Sequence, residues 1–457
     1  MKRSSLLLFL LIGFCVYVGL MPTSAPLKVG GPINPADVAW MLTATSFVLF
    51  MTPGLAFFYG GMVSPKNVIS TMVQSFISMG IISLIWVIVG FSLAFGDSLG
   101  GLIGNPLTFF MLKGVSGATH PDLSPTIPLI LFAMFQLKFA VITPALVTGA
   151  IAERIKFKSY IMFISLFILF IYAPLAHWTW HPSGFLRTMG LLDFAGGTVV
   201  HMSAGIGALA GVILLGRRKS HGTTTHAPAN IPYVILGTGM LWFGWFGFNA
   251  GSALGANEQA ALALATTNSA AASAAIAWVL FDVYRGQKPN AVGACIGAVV
   301  GLVAITPAAG YVSIGASIFI GAIASIVSAC VVVLKSKTKI DDTLDVFPCH
   351  GVGGIMGMLL TGIFAKDVGL IFGPTKTFLT HCLGLGYVAA FSFVGSLLIF
   401  KFVDLTMGLR VSDEEEDIGL DLSQHGESLV DVPPRTAPID LKSTPKYVPV
   451  HLKESHT

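Results

Sequence analysis

Charge is scarce in this chain. Of its 457 residues only 11% are Asp, Glu, Lys or Arg, where a soluble domain carries about a quarter, and the mean hydropathy is +0.80. A soluble globular enzyme is excluded. The net charge of +4 is small and dispersed, which leaves no footprint for nucleic acid. Cysteine is also rare: Cys15, Cys295, Cys330, Cys349 and Cys382 stand singly in apolar stretches without CxxC spacing, so neither a disulfide framework nor a structural zinc site is expected. What is plentiful is apolar mass, 54% of the chain, with 51 Gly and 24 Pro. Small residues let helix backbones approach inside a bilayer, and neighbouring helices satisfy the backbone groups that Pro frees. The composition therefore predicts an all-α polytopic membrane protein.

Residues 1–25 have a basic start, an apolar stretch and a small, Pro-containing end, the layout of a signal peptide; an uncleaved first helix is the competing reading. Beyond it, apolar runs long enough to span fall at about 37–61, 67–95, 126–150, 159–176, 194–215, 230–252, 260–281, 291–307, 312–334, 346–364 and 378–402. Eleven transmembrane helices are predicted. Alternate loops hold Lys66; Arg154, Lys156 and Lys158; Arg217, Arg218 and Lys219; Arg285 and Lys288; Lys335, Lys337 and Lys339; and Lys401 and Arg410, whereas the opposite loops hold only Lys113, Arg187, Lys366 and Lys376. This asymmetry predicts a mature N-terminus outside the cytoplasmic membrane and a C-terminus inside.

Two segments repeat a pattern. In DFAGGTVVHMSAG, Asp193 lies eight residues before His201 and Gly205 four after it; in DDTLDVFPCHGVGG, Asp342 lies eight before His350 and Gly354 four after it. They fall on the fifth and tenth spans. Halves with an odd number of helices have opposite orientations, so the match predicts an inverted 5+5 repeat meeting at the midplane, with the eleventh helix appended.

An imidazole within the hydrocarbon is a functional candidate by default. The plain alternative is a core histidine satisfied by a backbone carbonyl. A metal site on His201, His350 and Cys349 is a second alternative, opposed by the ~100° rotation between neighbouring helix positions. Two neutral imidazoles in an apolar pore can share a proton and hydrogen-bond a small polar solute. Trp180, Phe139, Phe135, Phe58, Tyr59, Trp245 and Phe248 lie near helix ends or beside Gly, where ring faces attract a small cation by about 0.5–2 kcal/mol, although such rings also serve as packing and interface anchors.

The strings TPGLAFFYGG (52–61), GAIAERIKF (149–157), DFAGGTVVHMSAG (193–205), GWFGFNAGSALGANE (244–258), HGVGGIMGMLLTGIFA (350–365) and DLTMGLRVSDEEEDIGLDLSQHGE (404–427) resemble the ammonium transporters of the Amt/Mep/Rh family, prokaryotic Amt branch, over about residues 37–427. The resemblance implies a homotrimer of eleven-helix protomers in the lipid bilayer, each with its own pore, acting in ammonium uptake without a cofactor. On matching positions it implies an outer ammonium-binding site of Trp180, Phe139 and Ser252, a gate of Phe139 and Phe248, and a pore lined by His201, His350, Gln136, Tyr59, Trp245 and Thr306. Asp193 takes a structural and electrostatic role, with Asp342 as its repeat partner. Residues 37–403 become the transporter domain, and 404–427 a cytosolic segment that couples protomers and contacts a PII-type regulatory protein. A bare cation in hydrocarbon is prohibitively costly and neutral ammonia far less so; ammonium is then captured, deprotonated and passed as ammonia, with or without its proton following.

The chain departs from the family pattern at Lys138, beside Phe139, where a small or apolar residue is usual, by one extra residue between Trp180 and Asp193, and in a tail at 428–457 whose Pro and charge content reads as disorder. Lys138, one position from the gate ring, is expected to point off the pore. The rival function is an ammonium sensor whose output is binding. An intramembrane enzyme would need a nucleophile or metal beside the histidines.

Overall fold

The computed structural model describes residues 25–222 and 227–429, with 12–13, 15–18 and 20. The predicted signal peptide thus lies largely, and the predicted tail beyond Leu429 wholly, outside the described residues. Among the described residues ten helices are long and apolar enough to cross a membrane: α1 (Pro35–Met62), α2 (Pro65–Phe95), α3 (Leu129–Ile151), α4 (Phe157–Thr188), α5 (Gly197–Leu215), α6 (Ile231–Ala253), α7 (Glu258–Tyr284), α9 (Ile314–Lys335), α10 (Phe347–Phe364) and α11 (Lys376–Met407). A shorter apolar helix, α8 (Ala291–Ile305), falls on the eighth predicted run. The protein is an all-helical, multi-pass membrane protein.

The helix starts follow from local chemistry. Asn34, Asn230, Asn257, Asn290 and Ser313 accept first-turn amides at the heads of α1, α6, α7, α8 and α9, the role of short polar side chains at an N-cap. Pro53 and Pro144 sit inside α1 and α3, where neighbouring helices make the lost bond tolerable. Helices α3 and α5 are the most enclosed, with 83% of their apolar windows buried, and α2 and α7 the least, at 33%. Of the predicted pore residues, α3 carries Gln136 and α5 carries His201.

One end of the bundle is covered by two short ribbons, β1 (Ser98–Leu99) with β2 (Ile103–Gly104) and β3 (Thr119–His120) with β4 (Ser124–Pro128). The other end is charged. Arg218 bridges Glu153 at 2.7 Å and Asp341 at 2.7 Å, all nearly buried. Burial opposes ionisation of Asp341, and its hydrogen bonds from Arg218 more than offset this, holding it well below the ordinary carboxylate range. After α11 the chain folds back over this end. A short helix, α12 (Asp413–Ile418), opens with a capping box between Ser412 and Glu415. Lys66 donates to the carbonyls of Glu416 and Asp417, both at 2.8 Å, Arg410 pairs with Glu416 at 2.5 Å, and the amides of Ile69 and Ser70 donate to Asp421 at 3.0 and 2.7 Å.

Candidate functional site

Both histidine helices begin alike. The Asp193 carboxylate accepts the amides of Gly196, Gly197 and Thr198 at 2.8, 2.7 and 2.7 Å and the Thr198 hydroxyl at 2.5 Å. Asp342 accepts the amides of Val346 and Phe347 at 3.0 and 2.7 Å. A carboxylate there satisfies first-turn donors and suits the positive end of the helix dipole. Each helix then opens with a wide π-type turn, Gly197–Met202 and Phe347–Val352, which carries its histidine. Such turns concentrate at functional sites.

The two helices cross in opposite directions at the histidines. A Cβ on Gly205 would lie 2.1 Å from the Gly351 amide nitrogen, and one on Gly354 would lie 2.9 Å from the Gly197 carbonyl oxygen, so only glycine permits this backbone approach. The approach brings His201 Nδ1 to 3.3 Å from His350 Nδ1. One ring must donate and the other accept. Among the described residues His201 Nε2 has no hydrogen-bond partner. Both rings line a lumen of only about 10 Å³, whose other walls are Met51, Leu55, Phe58, Ile142, Leu146, Val200, Leu241, Trp245, Phe248 and Val299.

Beside this lumen, Phe139 stacks on Phe248 with centroids 4.1 Å apart and a 30° tilt. Phe139 in turn meets Trp180 edge-on at 5.8 Å. Trp180, Phe139, Gln136, Ser252 and Asp193 line one open vestibule of about 360 Å³. Trp180 is fixed by donating Nε1–H to the Asp193 carbonyl at 3.1 Å, and the Ser252 hydroxyl donates to the Phe248 carbonyl at 2.8 Å, leaving its lone pairs free. Gln136 Oε1 is buried and has no hydrogen-bond partner among the described residues. The vestibule thus offers ring faces and oxygen acceptors, a set that suits a small cation able to donate hydrogen bonds.

Beyond His350 a second small cavity of about 10 Å³ is lined by Phe58, Tyr59, Met62, Ile296, Val299, Leu344, Cys349 and His350. Tyr59 donates to the Leu146 carbonyl at 3.0 Å. Cys349 borders this second cavity and not the lumen that both histidines line. Among the described residues no group of three His, Cys, Asp or Glu is placed to hold a metal ion.

Not every candidate reaches a cavity. Thr306 lies behind Trp245, accepting its Nε1–H at 2.9 Å, and lines neither lumen nor vestibule. Asp342 is 1% exposed and far from the vestibule wall; Lys335 donates to its carbonyl and bridges Asp345 at 2.6 Å. Lys138 is half-buried on the helix face of the exposed Ile130, off the vestibule lining. Sequence reasoning missed Arg187, Tyr311, Asp122 and Leu123 in the vestibule wall; Arg187 lies in the last turn of α4, and the other three lie in the connections between spans, where periodicity carries no signal.

A vestibule of ring faces and oxygen acceptors, set off by two facing Phe rings from a narrow, apolar, histidine-lined lumen within a multi-pass helical protein, is the arrangement of a membrane transport protein. The profile described as Ammonium Transporter Family matches residues 39–430, and the chain belongs to that family. The ammonium transporter of Aquifex aeolicus is 48% identical over 402 residues, covering 86% of this chain and 93% of that protein. The crystal structure of Saccharomyces cerevisiae Mep2 superposes with a TM-score of 0.79 at 34% identity, covering 84% of this chain and 88% of that one. A structure described as a sensor Amt protein gives 0.79 at 32% identity, covering 85% and 98%. Ammonium is the substrate of this class, and the buried His201–His350 pair agrees with its twin-histidine pore.

Proposed function

We propose that the chain takes up ammonium from the vestibule side, deprotonates it at the ring gate and passes ammonia along the His201–His350 pair, with the released proton handed along the same imidazoles so that one net charge crosses. The observation that carries this reading is the imidazole pair at 3.3 Å in a lumen too narrow and too apolar for a hydrated cation. Trp180, Phe139 and Ser252 recruit the cation; Phe139 and Phe248 separate the vestibule from the lumen. Ammonia needs little solvation and accepts or donates single hydrogen bonds to the imidazoles, whereas potassium has no proton to give up and would cross as a bare ion. Trp245, Gln136 and Tyr59 line the route, and Thr306 fixes the Trp245 ring. The test is current in proteoliposomes: an ammonium gradient evokes it and an equal potassium gradient does not. Equal currents for the two ions would overturn the reading.

The same proposal places the vestibule outside the cytoplasmic membrane and the tail inside, supported by the collection of Lys66, Arg154, Arg218, Lys335 and Arg410 at the tail end. The antiparallel crossing of α5 and α10 supports the inverted 5+5 repeat. The exposed faces of α2 and α7 leave room for a homotrimer, and the docked segment 404–427 offers a surface for a PII-type regulatory protein. The 1–25 signal peptide and the 428–457 tail complete the proposed organisation. The likeness to the sensor Amt protein favours a second reading, ammonium sensing, which predicts binding without flux in the same proteoliposomes.

A further inference from the structure

A side cavity of about 440 Å³ adjoins the vestibule, and the two share Phe95, Asp122, Leu123 and Pro182 in their walls. Asp122 and Leu123 are therefore part of the partition between them. They lie in the tight turn from β3 to β4, and the turn is built on His120. His120 is 5% exposed, packs edge-on to Phe109 at 6.4 Å, and its Nδ1 accepts the backbone amides of Asp122 at 3.3 Å and Leu123 at 3.2 Å. Two donors on Nδ1 fix the neutral tautomer, with the proton on Nε2. The groups facing this ring are Lys28 from the stretch before α1, Asp97 after α2, Asp122 in its own turn, and His181 near the end of α4, all in the wall of the side cavity. Burial, then Lys28, push the His120 pKa below its ordinary value, while Asp122 and Asp97 pull it up.

We propose that His120 is a proton-sensitive positioning residue for ammonium recruitment: neutral, it clamps Asp122 and Leu123 into the vestibule wall, and protonated, it releases them. The inference rests on the vestibule being the recruitment site. Protonation at Nδ1 turns an acceptor into a donor that faces two backbone N–H groups, and neither amide has another acceptor in the turn. The turn must open, and the Asp122 carboxylate leaves the rim of a site that attracts a cation. The closed turn binds one proton fewer than the open one, so acid favours opening, beginning below the ordinary histidine value of about 6.5. Ammonium remains fully protonated throughout this window, so a change in apparent affinity there reports the protein.

The discriminating variant is His120→Asn, whose amide oxygen can accept the same backbone donors and cannot be protonated. Ammonium-evoked current is read in proteoliposomes at fixed internal pH while external pH falls from about 7 to about 4.5. The wild-type half-saturation concentration should rise about threefold, the scale of one partly solvated charge pair, with the maximal current nearly unchanged. His120→Asn should stay flat, and His120→Ala should be weak at every pH. Hydrogen exchange of the 119–128 peptide in the full-length protein gives a second readout: relative to His120→Asn at matched pH, the wild type should exchange faster only on the acid side. An equal acid-side rise in His120→Asn, or a wild-type to Asn exchange ratio that does not change with pH, overturns the proposal. Absence of current from every form would fail the transport reading while the exchange experiment still decides the clamp.

Discussion

The two aspartate-led histidine helices have the same spacing and the same π-type opening, yet their aspartates live in different surroundings. Asp193 takes four hydrogen bonds and borders the vestibule. Asp342 takes two and is sealed beside Lys335 and Asp345. One motif therefore sits in two settings: a carboxylate on the vestibule wall and one sealed beside a lysine–aspartate pair. The histidines they position become equivalent partners because the helices cross head to tail. Sequence symmetry identifies the shared device, and the surroundings decide what each copy does.

The comparison can be broken at its centre. Replacing both His201 and His350 with Ala should reduce ammonium-evoked current in proteoliposomes below about a tenth, because the route loses the imidazole hydrogen-bonding groups between the gate and Tyr59. Full, potassium-free current in that variant would show that both rings are core residues. Next in size is the crossing itself. Gly205→Ala places a methyl within 2.1 Å of backbone nitrogen, a contact only backbone movement can relieve, so His201 and His350 must separate and flux should fall severalfold. Gly354→Ala, whose nearest contact is 2.9 Å, should do less; the order of the two fluxes is the check.

The aspartates themselves come third. Asp193→Ala leaves three amides and a hydroxyl without an acceptor and should cost about 2–4 kcal/mol, read as a lower unfolding midpoint in detergent together with loss of transport. Asp193→Asn, which retains one acceptor oxygen, should recover part of both. Asp342→Ala should cost about half as much, since Lys335 keeps Asp345 as a partner. Equal losses for the two Ala variants would remove the distinction between them. The smallest effect concerns pH. Burial raises the Asp342 pKa despite Lys335, so the stability it contributes is complete below the unfolded value of about 3.9 and is lost as pH rises through the raised folded value. The stability difference between wild type and Asp342→Asn should therefore change across mildly acid pH and level off on either side.

Much of this was legible in the sequence because a bilayer makes strong demands. Apolar length and loop charge place eleven helices, and the eighth is recognised even though it is the shortest. His201 and His350 stand out because an ionisable side chain amid apolar neighbours is costly. The vestibule was half legible: Trp180, Phe139, Ser252 and Gln136 sit on helices or helix ends, whereas Tyr311, Asp122 and Leu123 join it from connecting segments whose path obeys no period. The π-type turns had no signal at all, since nothing in GTVVHM or FPCHGV differs from an ordinary first turn. Thr306 fits the family pattern, yet only the position of Trp245 shows that it acts from behind the wall.

The docked segment 404–427 has a bearing on how the protein is made. Its partners, Lys66, Asn67, Ile69, Ser70, Arg154 and Lys219, belong to connections and helix starts within the first six spans, while the tail itself emerges after all eleven. The charged face near the first spans must therefore wait for the end of synthesis before its carbonyls, amides and lysines find their final partners. A chain interrupted after α10 would insert its histidines and leave that face unfinished, a difference that quality-control proteases acting on exposed polar loops can read.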